Sequence, residues 1–480
     1  MSVDETGARP LVILGGGPGG YPVAFAAADA GRDVIIVDEG VRLGGTCLND
    51  GCIPSKALLH VARVINEARL CERSGIGFSP PEIDLERLRQ WKQEVIAGLG
   101  GGLEQLASAR QVRWIRGAGR LTGAHELEVV SGPETVQRLC FEHLVIATGS
   151  TAICPPALRV DSPLVMDSTQ ALKLEEIPGR LLVIGGGYVG LELGTVFAAL
   201  GSEVEVVEME SGLLPGVDRD LVKPLTRALE SAFSAIHLNT QVTSLEPGDG
   251  AVTATWTGDE GVVGIGRYDR VLVAVGRRPN SSGLGLEGLG VEFGPVGEVV
   301  VDSAGRTACP SVLAVGDVCG GVMLAHKAAG EARNVVHTVL GRENVTADSA
   351  VIPAVVFTDP EVAWCGLTET AARASGRAVR VTRVPWMSSG RAHAMHATDG
   401  LTKVIVDADS GEVVGAGVVG AGAGELIGEA SLAITRKLSP AEWSRAMHPH
   451  PTMSETWCEA CEHACGNAVH LLPRRQRHSR

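Results

Sequence analysis

The clearest hydrophobic pattern along the chain occurs twice. Leu11-Val-Ile-Leu14 and Leu181-Leu-Val-Ile184 are unbroken apolar runs, each followed at once by glycines. An Ala/Leu-rich segment that reads as helix comes next, then a second apolar run ending in an acid, Val34-Ile-Ile-Val-Asp38 or Val204-Glu-Val-Val-Glu208. A short unbroken apolar run suits a strand buried on both faces, as in a parallel sheet. Strand, turn, helix and strand together predict the start of a βαβ unit, formed twice. The copies lie 170 residues apart, Leu11 against Leu181, which is too far for a solenoid repeat and fits two domains in tandem.

Other strand-then-glycine runs follow at Leu144–Ser150, Val271–Gly276 and Val312–Asp317. From about Val351 the character changes. Apolar strands (Val355-Val-Phe, Lys403-Val-Ile-Val) and a helix over Glu425–Lys437 predict a separate α+β domain. The expected fold is α/β, with two Rossmann-like dinucleotide-binding domains and a C-terminal α+β domain. The expected boundaries are 1–150 for the first domain, 151–280 for the second, 281–350 for a segment completing the first, 351–470 for the C-terminal domain and 471–480 for a basic tail.

The two turns carry a specific physics. Each reads G-x-G-x-x-G between strand and helix. The first glycine (Gly15, Gly185) permits the tight turn, and the second (Gly17, Gly187) lets the backbone approach a pyrophosphate. The third (Gly20, Gly190) lets the helix pack close to the strand. The helix N-terminus then faces the phosphates. In both copies the acid, Asp38 or Glu208, stands 18 residues after the third glycine, as a hydrogen bond to a ribose hydroxyl requires. An acid at Glu208, with no arginine between Gly190 and Glu210, favours NAD over NADP.

Composition sharpens this picture. Glycine accounts for 62 of 480 residues, nearly twice the usual share of about 7%. A formal net charge of −14 argues against a nucleic-acid partner, which needs a basic face. Pro10–Ala28 carries no charge over 19 residues, but five glycines and the interrupting Pro18 and Pro22 make it a buried strand and turn rather than a membrane span. With no signal or span, the cytoplasm is expected, where the 11 cysteines stay reduced unless catalytic.

Cys47-Leu-Asn-Asp-Gly-Cys52 carries the candidate chemistry. A regular helix holds residues i and i+5 too far apart for a disulfide, but Asn-Asp-Gly lets the chain leave the helix. Pro54 suits the first helical position, which would set Cys52 just before a helix N-terminus, where the dipole lowers a thiol pKa. Two buried thiols are the competing reading of these residues alone. Thr452-Met-Ser-Glu455 matches a capping box, which by itself accounts for Glu455. His450 is set between Pro449 and Pro451, and histidine is the residue type suited to carrying a proton at neutral pH.

Gly44-Gly-Thr-Cys-Leu-Asn-Asp-Gly-Cys-Ile-Pro-Ser-Lys56 resembles the redox-disulfide signature of the flavin-dependent class I pyridine nucleotide-disulfide oxidoreductases. The resemblance runs in order over nearly the whole chain. It includes Ala147-Thr-Gly-Ser150, Ala274-Val-Gly-Arg-Arg-Pro279, Ala314-Val-Gly-Asp317, Met323-Leu-Ala-His326, Phe357-Thr-Asp-Pro-Glu361 and His448-Pro-His-Pro-Thr-Met-Ser-Glu455. Within the family, Cys-Ile-Pro-Ser-Lys and the acid at Glu208 are most similar to members that oxidise dihydrolipoamide with NAD.

The resemblance implies FAD and NAD as cofactors and a Cys47–Cys52 redox disulfide. Cys47 would be the interchange thiol and Cys52 the thiolate beside the flavin, with Lys56 paired to Glu192 nearby. FAD would be held by Gly15, Gly17, Gly20, Asp38, Gly117, Thr148, Gly149, Ser150, Asp317, Met323, Leu324 and Ala325, with Lys56 at its reactive edge. NAD would be held by Gly185, Gly187, Gly190, Glu208 and Gly276. His450, oriented by Glu455, would serve the interchange thiol across a subunit boundary, which implies a homodimer. It also implies docking onto lipoyl domains and the acyltransferase core of a 2-oxo acid dehydrogenase complex. Neither a membrane nor a resident metal is implied. Mercuric or glutathione reductase-like chemistry is the alternative within the same family.

Two features depart from that pattern. Asp50 stands where relatives carry an apolar residue, and its charge is expected to disfavour a neighbouring thiolate. Cys458, Cys461 and Cys465 fall at i, i+3 and i+7 on an expected helix. They read as small residues facing a core or a dimer interface, or as an auxiliary thiol or soft-metal group with His463.

Overall fold

The computed structural model describes residues 9–132, 135–342 and 351–471. Both apolar repeats form the central strands of parallel five-stranded sheets. In the first sheet the order is Val312–Ala314, His143–Ile146, Leu11–Leu14, Val34–Asp38, Arg113–Arg116. Leu11 pairs with Val34 on one side and His143 on the other, and all four residues of this strand are buried. Burial on both faces is why its sequence is apolar without alternation. Val312–Ala314 arrives from far along the chain to add the last parallel strand.

In the second sheet the order is Ala235–His237, Glu203–Val207, Arg180–Ile184, Arg270–Val273, Val165–Met166, again parallel. Each parallel sheet is accompanied by a three-stranded antiparallel sheet, built from Ala118–Cys140 in one case and Gln241–Tyr268 in the other. From residue 351 the architecture changes as the pattern predicted. Five antiparallel strands, ordered Ala354–Val356, Glu361–Gly366, Val413–Gly420, Leu401–Asp407, Val379–Pro385, are packed by helices Ala423–Thr435 and Glu455–Cys465. The Pro10–Ala28 run is the strand Leu11–Leu14 and the helix Gly20–Asp29, and among the described residues no helix is long and apolar enough to cross a membrane. The basic tail Pro473–Arg480 lies outside the described residues.

The C-terminal sheet is tied to the second parallel domain by a buried charge cluster. Lys403 is 1% exposed and reaches Asp218 at 2.8 Å, Asp220 at 3.0 Å and Glu369 at 3.0 Å. A buried ammonium persists only with such compensation. Although burial would raise them, Lys403 holds the Asp218 and Glu369 carboxyls below their ordinary values.

Candidate active site

The two glycine turns have nearly the same geometry. Gly15 sits at φ +109° and Gly185 at φ +108°, a region that L side chains avoid. A Cβ at either would collide with a backbone carbonyl of the neighbouring strand end, Ala147 or Ala274. Asp38 accepts hydrogen bonds from the Gly16 and Gly40 amides, both at 2.6 Å. Glu208 does the same with the Gly186 amide at 2.5 Å and the Glu210 amide at 2.7 Å. Each acid therefore staples its own turn, and that second job was not anticipated from spacing. A Cβ on Gly187 would meet nothing within 4 Å, and one on Gly17 only the Gly45 Cα at 3.7 Å. Both turns thus keep open space at the position where a pyrophosphate approaches.

The first turn opens into a cavity of about 970 Å³. Its wall includes Gly15, Gly17, Asp38, Gly117, Thr148, Gly149, Ser150 and Asp317. Met323 and Ala325 also line it, but Leu324 does not. Leu324 is the residue capping helix Ala325–Val339, between these two lining residues. Ser150 donates to Asp317 at 2.6 Å and accepts from the Arg277 Nε at 2.7 Å. Arg277, in the Ala274–Pro279 motif, is a residue of this wall that sequence reasoning missed. Its position after Gly276, at the crossing between the two parallel domains, was the available signal. The volume, the glycines in the lining and the carboxylates at Asp38 and Asp317 fit a dinucleotide such as FAD. Gly185, Gly187, Gly190, Glu208 and Gly276 gather instead at the strand ends of the second parallel sheet.

Cys47 and Cys52, the expected redox pair, line the same cavity. Cys47 lies in the short helix Gly45–Asp50 and Cys52 opens the long helix Cys52–Leu70. Gly51, at φ −142° and ψ −108°, breaks the helix between them. Two details differ from the sequence reading. Cys52 is the first helical residue rather than the one before it, and Pro54 is third rather than first. A proline is accommodated anywhere in the first turn, where its missing N–H has no partner to lose.

Both cysteines are half-buried. The Cys47 thiol donates to Cys52, which holds Cys47 protonated and lowers the Cys52 thiol to about 7. Burial opposes ionisation of Cys52, Lys56 favours it and Glu192 disfavours it. Lys56 and Glu192 meet at 2.8 Å, with Glu192 only 3% exposed. The expected repulsion from Asp50 does not appear among the main influences on either thiol. Asp50 is exposed; its partial burial raises its carboxyl, and the charges acting on it are Lys173, Lys92 and Asp167. Lys92, 2% exposed, was missed from sequence. Its ammonium donates to the Leu172 and Lys173 carbonyls at the end of helix Ser168–Lys173.

His450 and Glu455 form a pair at 2.8 Å, through Nδ1 and Oε1. Burial would raise the Glu455 carboxyl, but the Thr452 amide and His450 together hold it below its ordinary range. The capping box is only half formed. Glu455 is the first helical residue rather than the third, and the Thr452 hydroxyl turns back to the Pro449 carbonyl. The His450 side chain is 79% exposed and lies outside the cavity of its own chain. His448 is buried against Glu429 at 2.9 Å. Cys461 is fully buried in the C-terminal core, Cys458 is half-buried and Cys465 exposed. Among the described residues no group of His, Cys, Asp or Glu is placed to hold a metal ion.

A dinucleotide cavity with a dithiol in its wall, beside a second nucleotide-type turn, defines a disulfide oxidoreductase architecture. Comparison with known proteins gives the same class. The pyridine nucleotide-disulphide oxidoreductase profile matches residues 9–332, and the dimerisation domain of that family matches residues 352–461. The chain belongs to the pyridine nucleotide-disulphide oxidoreductase family. It is 42% identical to a dihydrolipoyl dehydrogenase of Vibrio cholerae, over 93% of each chain. It is 39% identical to the mitochondrial dihydrolipoyl dehydrogenase of Dictyostelium discoideum, over 97% of this chain and 96% of that one. Among solved structures, LpdA of Mycobacterium tuberculosis superposes with a TM-score of 0.87 at 26% identity, over 95% of this chain and 99% of that one. The HOCl-induced flavoprotein disulfide reductase RclA of Escherichia coli superposes with a TM-score of 0.84 at 29% identity, over 95% of this chain and 99% of that one.

Proposed function

We propose that the chain is a dihydrolipoyl dehydrogenase, oxidising protein-bound dihydrolipoamide to lipoamide with reduction of NAD. The observation that carries this reading is the Cys47–Cys52 dithiol with Lys56–Glu192 in the wall of the dinucleotide cavity. The reading takes in a homodimer, assembly with lipoyl domains and an acyltransferase core, and a cytoplasmic setting. It also takes in the domain boundaries at 150, 280, 350 and 470.

In this reading Gly15, Gly17, Asp38, Ser150 and Asp317 hold FAD, and Gly185, Gly187, Gly190 and Glu208 hold NAD. When bound, FAD supplies the two-electron chemistry that links the cysteines to NAD. The chain's own residues manage sulfur and protons. His450 of the partner subunit, oriented by its carboxylate, takes the proton from one substrate thiol. That sulfur attacks Cys47, the Cys47–Cys52 bond breaks, and Cys52 leaves as the thiolate that Lys56 favours. The second substrate sulfur then closes lipoamide and releases Cys47, so two electrons and two protons have left the substrate. Glu208 selects NAD because a 2′-phosphate would meet its carboxylate.

One assay set tests this reading. Purified yellow protein should reduce NAD, and NADP poorly, with dihydrolipoamide. It should oxidise NAD(P)H only slowly with glutathione disulfide or Hg(II). Absence of dihydrolipoamide-dependent NAD reduction overturns it.

A further inference from the structure

Phe357-Thr-Asp-Pro-Glu361 resembles a family motif and takes no part in the sulfur and proton steps. In the fold this segment crosses from the C-terminal domain and lies along one face of the redox helix Cys52–Leu70. Lys56, Arg63 and Asn66, spaced by seven and three, share that face. All three are engaged. The Arg63 Nη1 meets Glu361 at 3.1 Å, and Glu361 also accepts from the Gly424 amide at 2.8 Å. The Asn66 amide donates to Asp359 at 3.2 Å. At the cysteine end the contact is tightest. The Phe357 backbone N–H donates to the Glu192 Oε1 at 3.0 Å, leaving Oε2 for Lys56 at 2.8 Å. The Lys56 ammonium sits 4.7 Å from the centroid of the Phe357 ring.

We propose that Phe357 is a positioning residue of the redox centre, its amide fixing Glu192 and its ring fixing Lys56 beside Cys52. The C-terminal domain thereby reaches the thiols through a second route besides His450. The chemistry is direct. Lys56 stands one helical turn after Cys52, on the same side of the helix. An ammonium over an aromatic face is attracted by the ring quadrupole. Without the ring, a side chain that is 31% exposed gains freedom to turn to water. The groups facing Cys52 are Cys47 from the preceding helix, Lys56 from its own helix, and Glu192 and Tyr188 from the helix across the cavity. Of these only Lys56 is cationic, so its position governs how readily Cys52 ionises. The inference rests on Cys52 being the thiolate of the redox pair, and not on which substrate that pair takes.

The test uses Cys47→Ser holoenzyme, in which ionisation of Cys52 is read from the long-wavelength absorbance of the thiolate beside the flavin. Phe357→Leu should raise the apparent Cys52 pKa by about half a unit, a threefold loss of thiolate at pH values below it. Phe357→Met should do the same, and Phe357→Tyr, which keeps the ring, should not. Lys56→Met sets the full shift, and adding Phe357→Leu to it should shift the titration no further. A lower Tm with an unmoved titration, or a shift of equal size with and without Lys56, overturns the proposal. Failure of the dihydrolipoamide assay leaves this titration unaffected, so the two readings fail separately.

Discussion

Cys47 and Cys52 flank a break between two helices, whereas Cys458, Cys461 and Cys465 lie along one unbroken helix. Both groups lie in partly buried surroundings, yet their acidities move in opposite directions. Cys52 is lowered to about 7 because Cys47 donates to it, with Lys56 adding to the effect against burial. Burial pushes Cys458 up to about 11, and Glu462 and Glu459 add to that; Cys461 is pushed further up by burial and by Cys458. The difference teaches that two thiols in proximity do not make a redox centre. One of them needs a donor and a cation, and the Gly51 break supplies the first by turning Cys47 onto Cys52. Neither is among the main influences on Cys458 or Cys461, and the carboxylates of the C-terminal helix oppose ionisation.

The largest effect expected from this contrast is on turnover. Cys47→Ser should abolish dihydrolipoamide-dependent NAD reduction, since no mixed disulfide can form. Cys458→Ser and Cys465→Ser should leave steady-state rates near those of the parent. Loss of turnover in either C-terminal variant, at unchanged flavin content, breaks the comparison.

Alkylation of the reduced protein sharpens it. At about pH 8 the thiolate fractions of Cys52 and Cys458 should differ by about a thousandfold. Nucleophilicity falls with pKa, which offsets about fiftyfold of that over four units, leaving a net preference of about twentyfold. Iodoacetamide labelling, followed by peptide mapping, should therefore mark the Cys47/Cys52 peptide first. Equal labelling of the Cys458 peptide contradicts the assigned acidities. The preference should shrink as pH rises above about 8, where Cys52 is already ionised and Cys458 gains thiolate, and should level off below about pH 7, where both thiolate fractions fall together.

Stability separates the groups in the other direction. Cys461 is fully buried among apolar side chains. Cys461→Ser places a hydroxyl there, at a cost of about 1–3 kcal/mol if it finds no partner. Thermal denaturation should show a lower Tm, while turnover per folded molecule stays constant. An unchanged Tm would mean that the site is more polar than its neighbours indicate.

How much of this was legible in the sequence depended on range. The two nucleotide turns were readable because their information is local: an apolar run, three glycines and an acid within 30 residues. The sheet position of Val312–Ala314 was not, since a strand signal carries no partner address. Lys403 looked like the polar residue beginning a strand, yet it is 1% exposed, and two of its three carboxylates come from more than 180 residues away. Lys56 and Glu192, 136 residues apart, were paired only through the family resemblance. Phe357 could be quoted but not assigned, because its ring and its amide act on groups that only the fold brings together.

Asp50 gives the smallest predicted effect and the finest test of the comparison. Chain proximity places its carboxylate two residues from Cys52, and like-charge repulsion was the expectation. The fold directs it toward Lys92 and Lys173 instead, and leaves it exposed to screening water. Asp50→Val should therefore move the Cys52 titration by less than about 0.3 unit. Removing a repelling charge would lower the pKa, so a fall of about a whole unit would restore the repulsion and make sequence neighbours, not Cys47 and Lys56, the controlling charges. A null shift in Asp50→Val, set beside a clear rise in Lys56→Met, locates the control in the helix-face cation and the Cys47 donor. That pair of groups is what the C-terminal cysteines lack.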